Sequence, residues 1–244
     1  MIDCSTEISN FQATQVLLPP DERKVMRERR DTNRKRLRAG LNKAEKPAPI
    51  GLHSQGSYAM HTMVQDAETD YDIDDGVYFS ADKLVGSGGG EQTALSVRQM
   101  VCDALQDDTF KRSPEVLKNC VRIFYNAGYH VDVPAYRRTE TIDHWTGKSV
   151  YVYELASSTW KQSDPRSVTE WFKTMNTDLS PDSKVGDGQL RRVVRLLKMF
   201  AKSRSSWKSS NASGFMITKL VIDNYYPSVG QDDVSLRETM KAIQ

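Results

Sequence analysis

Two stretches of the chain interleave apolar and polar residues with the period of a strand: Tyr71-Asp72-Ile73-Asp74-Asp75-Gly76-Val77-Tyr78-Phe79, and His130-Val131-Asp132-Val133-Pro134. A run at 121–125 can pair with residues 129–133 across Asn126-Ala127-Gly128, and residues 150–153 add a further strand. Residues 91–107 change to helical spacing, with Ala94, Val97, Val101, Ala104 and Leu105 on one stripe. Ser113-Pro114-Glu115 reads either as a helix start or as a turn entering the strand at 121–125. From Asp164 onward the pattern is helical. One helix starts at Asp164-Pro165 and runs through Trp171 and Phe172; a second carries Leu190, Val193, Val194, Leu197 and Ala201; a third carries Phe215, Ile217, Leu220, Val221 and Tyr225.

Near the N-terminus, Pro19-Pro20-Asp21 marks the start of a long helix that ends at Gly40 or at Lys46-Pro47. Its apolar positions are sparse (Val25, Met26, Leu37 and Leu41), and residues 22–46 are dense in arginine and lysine. Such a helix is either an electrostatic surface for nucleic acid or triphosphates, or a solvated connector whose arginines pair with its own acids at i,i+4 spacing. The 244 residues carry a net charge of only +2 and 38% hydrophobic residues, enough for one large domain or two lobes. No run of 18 apolar residues and no signal-peptide pattern occurs, so no membrane partner is expected and the expected location is cytoplasmic. Cys4, Cys102 and Cys120 are too scattered for a zinc motif, and Cys102 and Cys120 read as buried thiols.

The candidate chemistry lies in the strands. Alternation puts Asp72 and Asp74 on one face while Ile73 turns to the core. Paired carboxylates repel each other and favour a hard divalent cation between them. Asp132 supplies a third carboxylate inside Val-Asp-Val-Pro, where a turn has no need of one. Asp75 faces the other way and is expected to hydrogen-bond locally beside Gly76. His130 shares the face of Asp132 in a regular strand and is read as a polar neighbour rather than a ligand. Upstream, Gln55-Gly56-Ser57 precedes a possible helix turn, where glycine permits close backbone approach and free N–H groups suit a phosphate. Gly86-Ser87-Gly88-Gly89-Gly90 lacks the Gly-Lys-Ser/Thr of a P-loop and reads as a loop.

Gly-Ser, then Asp-x-Asp, then a third Asp on a later strand is the order found in nucleotidyltransferases that include DNA polymerase beta. Gln55-Gly56-Ser57, Asp72-Ile73-Asp74-Asp75-Gly76-Val77-Tyr78 and Val131-Asp132-Val133-Pro134-Ala135-Tyr136 resemble the CD-NTase family, the cyclic GMP-AMP synthases of the DncV type above all. The resemblance extends through Ser163-Asp164-Pro165-Arg166, Trp171-Phe172, the basic helix at residues 190–198 and Ser213-Gly214-Phe215, about residues 20–240 in all. It implies an α+β fold: a polymerase-beta-like nucleotidyltransferase lobe over residues 20–160, a mixed sheet plus helices with the long N-terminal helix as spine, and a second, helical lobe over 161–244. Nucleotides would sit in a cleft between them. Family members continue past the segment resembling residues 232–236, so the helical lobe is expected to be incomplete at its C-terminus.

The resemblance implies catalysis by Asp72, Asp74 and Asp132 holding Mg²⁺, with Mn²⁺ as the alternative. Gln55, Gly56 and Ser57 would meet the triphosphate, with Lys198 and Ser213 reaching it from the helical lobe; Arg191, Arg192 and Arg195, or Ser209 and Ser210, are the alternatives should the alignment slip. It implies a synthase that joins ATP and GTP into a cyclic dinucleotide or oligonucleotide with release of pyrophosphate. The product would be an antiphage messenger to a separate effector, and nucleic acid would not be required. Two other readings stay open: a template-independent transferase that needs an RNA end or small acceptor, and a catalytically silent module that binds nucleotide or nucleic acid.

Overall fold

The computed structural model describes residues 3–65, 72–86, 88–125, 128–207 and 212–244. In chain order the elements are α1 (Ser5–Phe11), α2 (Pro20–Lys43), β1 (Gly51–Gln55), α3 (Gly56–Ala59), β2 (Asp72–Ser80), α4 (Ala94–Leu105), β3 (Glu115–Val116), β4 (Val121–Phe124), β5 (His130–Val133), β6 (Ala135–Ile142), β7 (Ser149–Ala156), β8 (Trp160–Gln162), α5 (Pro165–Leu179), α6 (Gln189–Ser203), α7 (Gly214–Asp223) and α8 (Asp232–Ile243). They divide into two compact units, one formed by residues 23–55 and 68–166, the other by 1–22, 56–67 and 167–244.

The first unit holds the sheet, in the order β3-β4-β5-β2-β6-β7-β8 with β1 also pairing β2. Both parallel pairs are made by β2. Its first half lies beside β5 and its second half beside β6, while the remaining pairs are antiparallel. Pro134 explains the division. With no N–H to give, it breaks the ladder between β5 and β6, yet its carbonyl accepts from Val77 N at 2.9 Å, so the chain stays alongside β2 through the break.

Alternation along β2 sorts its side chains. Ile73, Val77 and Phe79 are fully buried, as are Val131 and Ile123 on the neighbouring strands. Leu37 and Leu41 of α2 and Val97, Val101 and Leu105 of α4 are buried as well, and Cys102 and Cys120 are buried thiols. Asp75 is buried, but its partners are distant in sequence rather than local. The Arg34 guanidinium grips both its oxygens from α2, and Ser54 Oγ donates to it from β1 at 3.1 Å.

The arginines of α2 therefore bond other elements of their own unit rather than pairing only along the helix. Arg36 bonds Asp107 at 2.6 Å and lies 4.3 Å over Phe110, and Arg29 lies 4.3 Å over Tyr125. The helix also continues past Gly40, the first of the two stops read from the sequence. A Cβ there would sit 2.7 Å from the carbonyl carbon of Ala104, so glycine marks the point where α2 presses on the backbone of α4. Alanine is worth about 1 kcal/mol more than glycine in an open helix. Here Gly40→Ala should instead destabilise by about 2 kcal/mol through forced separation of the two helices. A urea midpoint that rises would refute this contact as the reason for the glycine.

The second unit is helical. Met60, Phe172, Leu190, Val193, Val194, Ile217, Val221 and Ile222 form its main core, and Val16, Val64 and Leu196 form a smaller one. Of the apolar stripe read for α7, Ile217 and Val221 face this core, whereas Phe215 and Leu220 are exposed. No helix among the described residues is long and apolar enough to cross a membrane.

Candidate active site of the sheet unit

In the parallel register of β2 and β5, Asp72 lies beside His130 and Asp74 beside Asp132. Residues two apart on a strand share a face, so the four side chains form a square of three carboxylates and one imidazole. A ligand atom from each of Asp72, His130 and Asp132 lies within 4.8 Å of the other two. Asp74 is not one of that trio, but it occupies the fourth corner through its register with Asp132. On β4, Arg122 faces Asp132 directly and binds it bidentately, Nε to Oδ1 at 2.8 Å and Nη2 to Oδ2 at 2.7 Å. The guanidinium takes one lone pair on each oxygen and leaves the others free.

Beyond the square the same face is closed by aromatic rings. Gln55 of β1 is opposite Asp74, and its amide fills the space that a side chain on Gly76 would need. Its Oε1 accepts from Tyr136 Oη at 3.0 Å and its Nε2 donates to Tyr78 Oη at 3.5 Å, while the rings of Tyr78 and Tyr136 stack at 4.7 Å. The Gln55 side chain is therefore buried and used within the sheet.

The remaining candidates all belong to the helical unit. Gly56, at φ +60°, adopts a conformation that favours glycine, and opens the single turn of α3. Ser57 O accepts from Thr62 N at 2.8 Å. Lys198 Nζ donates to the Oγ1 of that threonine at 2.9 Å and to its carbonyl at 3.3 Å. Ser213 caps α7, its Oγ accepting from Met216 N, and a Cβ on Gly214 would lie 3.6 Å from Lys198 Cε. The segment around Ser57, Lys198 and the start of α7 is thus one neighbourhood. On the same helix Arg191 and Arg195 pair with Asp187, and Arg192 pairs with Asp182 and Asp232. Lys198 has no carboxylate partner among the described residues. Ser209 and Ser210 lie outside the described residues.

Residues 51–136 match the nucleotidyltransferase domain of the family described as cyclic GMP-AMP synthase DncV-like. The match runs from β1 to the start of β6 and takes in the whole carboxylate face. Among solved structures, E. coli MS115-1 CdnC with ATP is 20% identical, with 99% of this chain and 70% of that one covered and a TM-score of 0.66. Vibrio cholerae DncV cyclic AMP-GMP synthase, in complex with the linear intermediate 5′ pppA(3′,5′)pG, is 16% identical over 99% of this chain and 78% of that one, at a TM-score of 0.73. Elizabethkingia meningoseptica CdnE cyclic dinucleotide synthase, with GTP and Apcpp, is 16% identical over 97% and 82%, at 0.70. At such identities the likeness establishes the fold, an α+β nucleotidyltransferase architecture of mixed sheet and helices.

The electrostatics of this face separate the two β2 carboxylates. Burial raises the Asp72 carboxyl, but the neighbouring His130 and Arg122 outweigh it and hold the group below the ordinary range. Burial, then the charges of Asp72 and Asp132, push Asp74 up to about 7. Three carboxylates crowded on one face, one of them driven toward protonation, are the donor set a divalent cation would relieve. In the helical unit, burial first and Lys202 and Arg195 next bring Lys198 down to about 8. Sequence reasoning missed Arg122. Its signal was weak, a lone basic residue in the apolar run 121–125.

Proposed function

We propose that the chain is a cyclic-nucleotide synthase that joins ribonucleoside triphosphates, ATP and GTP first, and releases pyrophosphate. The observation that carries this is the placing of Asp72, Asp74 and Asp132 on one face by the β2–β5 register. The three carboxylates would hold divalent cations, Mg²⁺ or Mn²⁺, which lower the pKa of a ribose hydroxyl and neutralise charge on the leaving pyrophosphate. In each transfer a ribose oxygen bonds to the α-phosphorus of a triphosphate, the bond from that phosphorus to the bridging oxygen breaks, and pyrophosphate departs; a second transfer closes the ring.

Lys198 would accept the triphosphate charge. A buried ammonium bonded, among the described residues, to the hydroxyl and carbonyl of Thr62 has unfilled capacity for an anion. Gly56 and Ser57 would add N–H and hydroxyl donors, and Ser213 a hydroxyl at the start of α7. The complexes of the similar proteins with ATP, GTP and a linear dinucleotide support the substrate class. An antiphage messenger role, with a separate effector reading the product in the cytoplasm, completes the proposal.

The test is incubation with Mg²⁺ or Mn²⁺ and the four ribonucleoside triphosphates, then phosphatase treatment and mass spectrometry. A phosphatase-resistant cyclic product is expected, absent in the Asp72→Asn, Asp74→Asn double variant. Product that forms only when an RNA end is supplied would make the chain a terminal transferase instead. Salt-sensitive binding of RNA without turnover, unchanged in the double variant, would return it to a binding module.

A further inference from the structure

The imidazole at the corner of the carboxylate square is buried against the Asp72 carboxylate. His130 is 8% exposed, and its Nε2 finds no hydrogen-bond partner among the described residues. Asp72 Oδ2 lies 3.5 Å away, within reach of an ion pair but outside hydrogen-bonding geometry. Burying a polar nitrogen without a partner is costly, and natural structures rarely leave one so. The ring also faces a cluster rather than apolar packing: one of its nitrogens lies within 4.8 Å of a carboxylate oxygen of both Asp72 and Asp132, and Nε2 is the atom 3.5 Å from Asp72 Oδ2. Adjacent donors on one cation with bonds of about 2.1 Å stand about 3.0–3.6 Å apart. His130 Nε2 and Asp72 Oδ2 already stand at 3.5 Å, and a donor oxygen of Asp132 lies within 4.8 Å of the other two ligand atoms.

We propose that His130 is itself a ligand of the divalent cation held by Asp72 and Asp132, and that it biases the site toward imidazole-accepting first-row ions such as Mn²⁺ over Mg²⁺. The inference rests on reading the square as a metal centre and adds to it a nitrogen donor. Carboxylate oxygens suit Mg²⁺ and Mn²⁺ alike, whereas an imidazole nitrogen is a poor donor to Mg²⁺ and a good one to transition metals. Arg122 sharpens the bias. By occupying a lone pair on each Asp132 oxygen it keeps that carboxylate from chelating with both, so a neutral nitrogen supplies what an oxygen would otherwise give.

The experiment is Mn²⁺ and Mg²⁺ titration of the nucleotide-free protein by calorimetry, with electron spin-echo modulation of the Mn²⁺-bound form. Wild type should show ¹⁴N modulation from a directly bound imidazole. His130→Ala should lose the modulation and narrow the Mn²⁺-over-Mg²⁺ affinity ratio about tenfold. Mn²⁺ that binds, is lost in Asp132→Asn and shows no ¹⁴N modulation in wild type would overturn the His130 ligand while leaving the metal centre standing. Wild type that binds neither ion would overturn the metal centre itself. The wild-type spectrum decides the question even where His130→Ala folds poorly.

Discussion

Asp74→Asn should abolish nucleotidyl transfer, by on the order of 10³-fold or more, and at the same time make the metal-free protein more stable at pH 8. The two effects have one cause. Burial, then Asp72 and Asp132, raise the Asp74 carboxyl to about 7 from an ordinary 3.8. Between those values the folded state keeps a proton that the unfolded state releases, so this group's contribution to stability is present below about pH 4 and is lost as pH rises through 7. The full shift corresponds to about 4 kcal/mol, and partial access of water to the site reduces it to roughly half. Asparagine never ionises and avoids the cost. Calorimetry without divalent ions should show a gain in Tm of roughly 4–8 °C at pH 8 and none at pH 4. Saturating Mn²⁺ should erase the gain by stabilising wild type selectively. A variant less stable than wild type at pH 8 would show that Asp74 is held by donors rather than strained by its neighbours.

The aspartate face was legible because strand alternation is a local property. Asp72 and Asp74 flank Ile73 in sequence, and no other element is needed to place them together. The family likeness carried Asp132 to the same place, and β5 sets it beside Asp74. What sequence did not disclose depends on register between elements. Arg122 meets Asp132 only because β4 and β5 pair Val121 with Val133 and Arg122 with Asp132. A slip by one residue would turn that arginine to the opposite face. Asp75 finds Arg34 on a helix 41 residues away, where local hydrogen bonding beside Gly76 was expected.

The strands β1, β3, β6 and β8 were missed, and the two longer ones for another reason. Gly51–Gln55 is polar because its residues serve the sheet's side-chain network, and Ala135–Ile142 starts buried but becomes exposed toward its end. Neither offers a sustained apolar alternation. Gly40 misled because glycine near the end of a helical pattern signals a cap, whereas close approach of Ala104 requires the same residue.

Lys198→Met should separate stability from function in the helical unit. Wild type carries a buried ammonium whose pKa is down to about 8, with burial the main cause and the charges of Lys202 and Arg195 adding to it. A lysine whose folded pKa is lowered binds fewer protons when folded than when unfolded between about 8 and 10.5, so wild-type stability should rise with pH across that window from this group. Below pH 8 the folded state bears the whole cost of the buried charge. Methionine has a similar length and no charge, but it leaves Thr62 Oγ1 and its carbonyl without their donor. The two terms oppose each other, and the net gain at pH 7 should be about 1 kcal/mol. Its signature is pH dependence: the advantage of the variant should shrink as pH climbs from 8 to 10.5. On the proposed reading, the same substitution should lower kcat/KM for the triphosphate on the order of 10²-fold, about 2.7 kcal/mol of transition-state binding. Lys198→Arg should not restore it, because a planar guanidinium does not fit a site shaped around one ammonium between Thr62 and Gly214. If the variant gained stability and kept full kcat/KM, the lysine would be a buried charge with no triphosphate to meet, and the anion would have to be bound elsewhere.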